Sequence, residues 1–226
     1  GLLPMILAIG NYHATSNTLA NQALAKGLFA TLLPMIPLGL VILPFTISFG
    51  RDMADGVTTR FVLFGYRMAK QLVAKFVSVA ILVSLVTVVY CLVLYQVLPL
   101  PSMSMLSLAN VFASTMILTA ALYLLSFAIA QVFKGFNMIQ GVAMVCYFGI
   151  AFLTGSMGTF QLPRTLEKAI EWIPFAAIRE TLKMHWGSNT VTDMQTEWFK
   201  LIVFLLITLF LFGLAEFYRR LKIHAV

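Results

Sequence analysis

Three long apolar runs in this chain, 76–98, 107–130 and 138–154, contain no Asp, Glu, Lys, Arg or His. A helix needs about 20 apolar residues to cross the roughly 30 Å of hydrocarbon in a bilayer. The chain is 61% hydrophobic and only 10% charged, whereas about a quarter of the residues in an ordinary soluble domain are charged. We therefore predict an integral membrane protein.

Three further apolar runs, at 1–10, 28–49 and 199–217, raise the number of predicted transmembrane helices to about six. Helices are expected because every backbone donor and acceptor inside hydrocarbon must be satisfied, and the runs lack the alternating pattern of a membrane β-barrel. The first run is too short to span, so we expect a truncated first helix. The sequence predicts an all-α membrane protein with one transmembrane domain over residues 1–226.

The second span carries three prolines, Pro34, Pro37 and Pro44. Each proline removes a backbone donor that a regular helix would use. We therefore expect kinks or a local break in this helix.

Lys and Arg residues are concentrated in alternate loops, and this bias sets the expected orientation. The 51–75 segment, the 131–137 loop and the tail carry Arg51, Arg60, Arg67, Lys70, Lys75, Lys134, Arg219, Arg220 and Lys222. The opposite side has the uncharged turn QVLPLPSMSM and the charge-balanced segment 156–198. We predict a multi-pass protein of the plasma or inner membrane with both termini in the cytoplasm. The Lys and Arg residues of the cytoplasmic loops account for the net charge of +7, so no nucleic acid partner is expected.

Two short outer helices are predicted between spans five and six. The stretch PRTLEKAIEW has apolar residues at helical spacing, with Thr165 at its N-cap, and Pro174 should end or bend this helix. The second helix runs through FAAIRETLKMHW, before the Gly-Ser-Asn turn at 187–189. Together these helices would cap the outer mouth.

The chain has no motif of a familiar enzyme or metal site. The three histidines are scattered, no P-loop, GxSxG or HExxH is present, and Cys91 and Cys146 lie singly in apolar runs. Charge-free spans also disfavour ion-coupled transport, which uses ionisable groups at that depth. We predict no catalytic or metal-binding residue, so another subunit must drive any uphill work. A membrane-embedded scaffold or assembly protein that moves nothing is the alternative function.

The connection from Phe49 to Phe76 is longer than a simple turn requires. It contains five basic and two acidic residues, and Gly56 and Gly65 mark expected turns within it. A cytoplasmic helix of about three turns would fit here. From the residues alone, this segment is either a solvated loop that lies on the lipid headgroups or a docking element for another subunit.

The 49–76 connection resembles a segment of the ABC-2 family of ABC transporter permeases. In that family an acid-x-Gly-Thr core follows the second span, and a short helix and a Lys lead into the third. In this chain, the acid-Gly-Thr part of that pattern resembles Asp52 and the stretch Asp55-Gly56-Val57-Thr58, and the Lys resembles Lys75. Val57 and the stretch Phe64-Gly65-Tyr66 depart from the family pattern.

Other features in the same order extend this resemblance over essentially the whole chain. Pro4 resembles a proline often found in the first span of the family. In the long outer segment, Gly158, Leu162-Pro163 and the stretch Trp172-Ile173-Pro174 look like the opening and the second proline of the family's outer loop. The resemblance identifies the chain as a candidate transmembrane subunit of an ABC exporter.

The resemblance implies a coupling helix between spans two and three that docks into a separate ATPase subunit. ATP and Mg would be bound by that subunit, and no cofactor is expected in this chain. The implied coupling residues are Asp52, Asp55, Gly56, Thr58, Arg60, Arg67 and Lys75.

The resemblance also implies a second permease subunit, identical or related, that completes the translocation path. The residues expected to border this path are Phe136, Asn137, Gln140, Tyr147, Phe148 and Phe152. Packing within the chain or contact with lipid is the alternative role for each of them. Uncharged spans rich in Phe and Met favour an amphipathic or hydrophobic cargo, such as a drug, a peptide or a lipid-linked molecule, because a charged solute would lose its hydration there.

Overall fold

The computed structural model describes residues 3–10, 12, 18–65, 68–133, 135–153, 173–184, 186 and 195–224. Within these ranges the chain is helical and contains no β-strand, which confirms the predicted all-α class. We number the helices α1 (Leu3–Gly10), α2 (Thr18–Ala54), α3 (Val57–Leu63), α4 (Met68–Val97), α5 (Met105–Val132), α6 (Phe136–Leu153), α7 (Pro174–Met184) and α8 (Gln195–His224).

Four helices in the described part of the chain are long and apolar enough to cross a membrane. They are α2, the Lys70–Val97 part of α4, α5 and the Trp198–Phe217 part of α8. α6 contributes the shorter apolar stretch Phe136–Phe152, and α1 has 8 residues. By length and composition these four helices indicate a membrane protein, and the two further predicted spans correspond to α1 and α6.

α2 is 37 residues long and is interrupted near its middle. The α-helix stops at Leu32, and Leu38–Ile42 wind into a π-helical turn before regular helix resumes. Proline lacks the N–H that would bond the carbonyl four residues earlier, and its ring clashes with that carbonyl. The three prolines of this segment therefore explain the interruption, and the predicted break in the second span is confirmed.

α5 lies at the centre of the bundle and packs against α2, α4, α6 and α8. It runs parallel to α8. Near their starts the Trp198 indole donates a 2.8 Å hydrogen bond to Asn110 Oδ1, and near their ends the Phe127 and Phe212 ring centroids lie 5.5 Å apart. Buried hydroxyls of α5 donate to carbonyls one turn earlier, which satisfies them within the helix. These are Ser114, Thr115, Thr119 and Ser126.

Contacts between helix termini define one end of the bundle, which we call the Lys75 end. Here Lys75 of α4 forms an ion pair with Asp52 of α2. Gln131 Nε2, at the end of α5, donates to Glu216 Oε2 of α8 at 3.2 Å. The Phe49 and Phe127 rings, near the ends of α2 and α5, lie 5.1 Å apart and connect the two pairs. The ends of α2, α5 and α8 therefore lie at the same end as the start of α4. This agrees with the sequence-based placement of these connections on one side of the membrane.

The opposite end of the bundle, the Trp186 end, is built from aromatic contacts. The Trp186 indole donates a 3.2 Å hydrogen bond to the Pro101 carbonyl, and its ring packs edge-on against Phe29 with centroids 5.2 Å apart. The Tyr90 hydroxyl donates to the Phe29 carbonyl at 3.0 Å. The Lys26 ammonium lies 5.9 Å from the Trp186 ring centroid. These contacts tie α2, α4 and the 98–104 connection together.

α7 packs against α2 and α8. It begins at Pro174, a residue suited to the first helical turn because the N–H that proline lacks would have no helical partner there. Phe175, Ile178 and Leu182 form its buried face. This confirms the helix that was predicted through FAAIRETLKMHW. The other predicted outer helix, at 163–172, lies outside the described residues.

Gly50 marks a close approach between α2 and α6. A Cβ atom on Gly50 would lie 2.9 Å from Cδ1 and 3.0 Å from Cγ2 of Ile139. We expect Gly50→Ala to force Ile139 aside and to lower the free energy of unfolding by about 1–3 kcal/mol, the usual cost of overpacking. Unfolding of the purified protein in detergent measures this. Gly141→Ala is the matched control, because a Cβ there meets no atom within 4 Å among the described residues outside its own stretch of helix. Equal losses in both variants would contradict the prediction.

Candidate functional site

α3 is a 7-residue helix held between two glycine turns at the Lys75 end. α2 ends at Ala54, and the Asp55 N–H donates to the Arg51 carbonyl at 2.8 Å. Gly56 and Gly65 have φ angles of 66° and 85°, in the left-handed region that disfavours residues with a Cβ atom. These two glycines let the chain leave the axis of α2, form a separate short helix and turn again before α4.

α3 and the turn after it expose both a cation and apolar side chains. The Arg60 side chain is exposed, and Phe61 is 44% exposed. Leu63 and Phe64 are 81% and 80% exposed, which is unusual for large apolar residues in a loop outside the spanning helices. This α3 surface, made of Arg60, Phe61, Leu63 and Phe64, therefore has the composition of a surface that another molecule covers.

The implied coupling residues fall into two places in the structure. Asp55 and Gly56 form the turn before α3, and Thr58 and Arg60 lie within α3. Asp52 and Lys75 lie outside α3, in the helices on either side of it. Arg67 lies outside the described residues.

Asp52 and Lys75 bind each other across the base of the connection that carries α3. Asp52 lies in the last part of α2, and its Oδ2 accepts from the ammonium of Lys75 in α4. The same ammonium lies 4.9 Å from the centroid of the Phe49 ring, within the range of a cation–π contact. Lys75 therefore links α4 to α2 through two different side chains.

An aromatic cluster supports this link from the side of α5. The Phe49 ring packs edge-on against Tyr123 and Phe127, with centroid distances of 5.4 and 5.1 Å. Phe76 also contacts Tyr123, with centroids 5.4 Å apart. The Tyr123 hydroxyl donates to the Leu72 carbonyl at 2.8 Å. Tyr123 thus fixes the start of α4 and the end of α2 to the same part of α5.

The neighbouring residue Arg51 connects the end of α2 to α6. Its guanidinium carbon lies 5.6 Å from the centroid of the Phe136 ring. Phe136, one of the predicted path residues, is half-buried and contacts Arg51 at the Lys75 end. Gln140, one turn further along α6, is half-buried.

The other predicted path residues are divided between two faces of α6. Tyr147 is 7% exposed and faces the core, although its ring also contacts that of Phe148, with centroids 5.2 Å apart. Phe148 and Phe152, one turn apart, are 52% and 41% exposed on the outer face. Asn137 is exposed near the start of the helix. The chain thus brings Phe148 and Phe152 together and separates them from the buried side of Tyr147.

Sequence reasoning missed Phe49, Arg51 and Tyr123 as parts of this site. Aromatic residues are frequent in apolar spans, so neither Phe49 nor Tyr123 stood out, and Arg51 was counted only as one base among several. An acid and a base at opposite ends of one connection, here Asp52 and Lys75, were the available signal for an internal pair.

Comparison of the chain with family models, with curated proteins and with solved structures found no match. In the part of the chain that the structure describes, no group of three or more His, Cys, Asp or Glu residues could hold a metal ion. The site offers a short helix with an exposed cation and exposed apolar side chains, which is suited to contact with a partner.

Proposed function

We propose that this chain is the transmembrane permease subunit of an ATP-driven ABC exporter. A separate ATPase subunit binds ATP and Mg and contacts the α3 surface. A second permease subunit, identical or related, completes the translocation path. ATP-driven movement of the ATPase is transmitted through α3 to the spanning helices.

The observation that carries this proposal is the geometry of α3. A short helix between two left-handed glycines, with Leu63 and Phe64 exposed beside Arg60, presents anchors of the kind that insert into a groove on a partner protein. A connection that only turned the chain would not need these anchors. The ordering of motifs that resembles ABC-2 permeases supports the same assignment.

The proposal includes a layout of six spans, with α1 and α6 as the first and fifth. The Lys75 end faces the cytoplasm, because the connections and tail at this end carry most of the Lys and Arg residues. Both termini are then cytoplasmic, in a plasma or inner membrane. α3 lies on the side where ATP is available, and α7 lies on the opposite side.

The translocation path in this proposal lies between two permease subunits. The exposed Phe148 and Phe152 of α6 give it an apolar wall. Such a wall suits an amphipathic or hydrophobic cargo, since a strongly charged solute would lose hydration without compensation. A drug, a hydrophobic peptide and a lipid-linked molecule all have this chemistry.

Purification from the native membrane tests the proposal directly. The chain is tagged and extracted in mild detergent, and the proteins that accompany it are identified by mass spectrometry. We expect a P-loop ATPase at a stoichiometric ratio. Reproducible absence of any ATPase, with the chain intact and folded, would overturn the proposal in favour of a membrane scaffold.

Replacement of Gly56 tests whether the direction of α3 matters for export. A β-branched residue at φ 66° costs about 1–2 kcal/mol, so we expect Gly56→Val to lower ATP-dependent export about tenfold without loss of the chain from the membrane. Export into inverted membrane vesicles measures this. Gly56→Asn is the matched control, because Asn tolerates left-handed backbone, and it should retain most activity. Normal export by the Val variant would contradict the prediction.

A further inference from the structure

The Lys75 ammonium joins the start of α4 to the end of α2. α2 packs against α4 with its Met35–Ile42 part, whereas its Leu43–Ala54 part packs mainly against α5 and α6. Lys75 pairs with the Asp52 carboxylate and lies over the Phe49 ring. At this end of the bundle, the Lys75 side chain therefore adds a direct link between α2 and α4.

This link lies at the base of the connection that carries α3. Asp52 lies four residues before Gly56, and Lys75 lies ten residues after Gly65. α3 lies between these two left-handed glycines and packs against the end of α2 and the start of α4. Among the described residues, apart from chain neighbours, no atom lies within 4 Å of a Cβ built at either glycine. The pair thus closes the base of the connection that carries α3.

We infer that the Asp52–Lys75 pair is a latch that holds α3 in one position and must open for α3 to move. The latch is a property of this chain alone, whereas its role in export rests on the proposed function. In the proposed exporter, opening of the Asp52–Lys75 pair would determine when α3 can move.

The Asp52–Lys75 ion pair is weak enough to open while other contacts hold the helices in place. The side chains of Lys75 and Asp52 are 37% and 27% exposed, and partly exposed ion pairs are individually weak, so this pair can break and re-form. The contacts of Tyr123 with Phe76 and with the Leu72 carbonyl join α4 to α5, and its contact with the Phe49 ring joins α2 to α5. Opening the pair therefore loosens the end of α2 from the start of α4, while both helices stay attached to α5.

Distance measurement between spin labels tests the latch without any ATPase. Labels are placed at Leu63→Cys and Val132→Cys, which are exposed positions at the Lys75 end, in a chain with Cys91 and Cys146 replaced by Ala. The purified chain is studied in lipid nanodiscs. We expect one dominant distance for the latched protein.

Removal of the charge should release α3. In Lys75→Met, which keeps the length of the side chain, we expect the ratio of displaced to latched α3 to rise about fivefold, as loss of a partly exposed ion pair allows. Asp52→Asn should give the same change, and the swap of Asp52→Lys with Lys75→Asp should reverse most of it. Lys70→Met is the matched control, since Lys70 is an exposed lysine near the start of the same helix, and it should change nothing.

The outcomes separate the latch from the proposed function. The latch is overturned if Lys75→Met leaves the distances unchanged, or if α3 is as displaced in the charge-swap variant as in the single variants. This holds whether or not an ATPase is found. The latch is supported if α3 is displaced in the single variants and returns to its position in the charge-swap variant, even if no ATPase accompanies the chain.

Discussion

Phe49→Ala should lower the free energy of unfolding by about 3–5 kcal/mol, a larger loss than we expect from Gly50→Ala one residue away. The Phe49 side chain is 3% exposed and lies where α2, α4 and α5 meet. Its ring contacts Tyr123 and Phe127 edge-on and carries the Lys75 ammonium on its face. Alanine would leave a cavity among these groups and would remove the cation–π contact.

The matched control for this prediction is Phe210→Ala. Phe210 is 66% exposed on α8, so its truncation leaves no cavity inside the chain. Thermal unfolding of both variants in the same detergent gives the comparison, with the wild-type protein as reference. If Phe49→Ala were as stable as Phe210→Ala, the aromatic cluster would not hold the Lys75 end together.

The main features of the fold follow from the sequence because each has a strong local cause. Charge-free runs of about 20 residues form membrane helices since lipid offers backbone groups no other partner. The break in α2 follows from its three prolines. The turns at the two left-handed glycines of the α3 connection follow from the sequence because glycine is the residue that such turns favour.

The internal contacts of the site could not be predicted in the same way. Asp52 and Lys75 were assigned together to a docking segment, since a sequence does not tell whether two charges face each other or a partner. Their pairing depends on how α2 and α4 are positioned by the Tyr123 contacts on α5. The split of α6 residues between core and surface likewise depends on which face meets α2. Beyond Gln140 this helix is apolar on all sides, so it carries no polar face to indicate the split.

The α3 surface leads to the second large prediction, which concerns binding. In the proposed complex, Leu63 and Phe64 are the apolar anchors, and truncation of such anchors costs about 2 kcal/mol or more each. Leu63→Asp with Phe64→Asp would in addition bring two charges into the interface. We expect binding of the ATPase subunit to weaken by at least about 100-fold, because each 1.4 kcal/mol corresponds to a factor of ten.

The double substitution should leave the fold of the chain unchanged, because both side chains are at least 80% exposed. The amount of ATPase that is recovered with the tagged chain measures binding, and the unfolding midpoint checks the fold. Met105→Asp with Leu19→Asp is the matched control, since these residues are 84% and 75% exposed but lie on helix starts away from the Lys75 end. Recovery of the ATPase at the wild-type ratio with the α3 variant would show that it docks elsewhere. An equal loss with both variants would mean that added charge, and not the α3 surface, disrupts the complex.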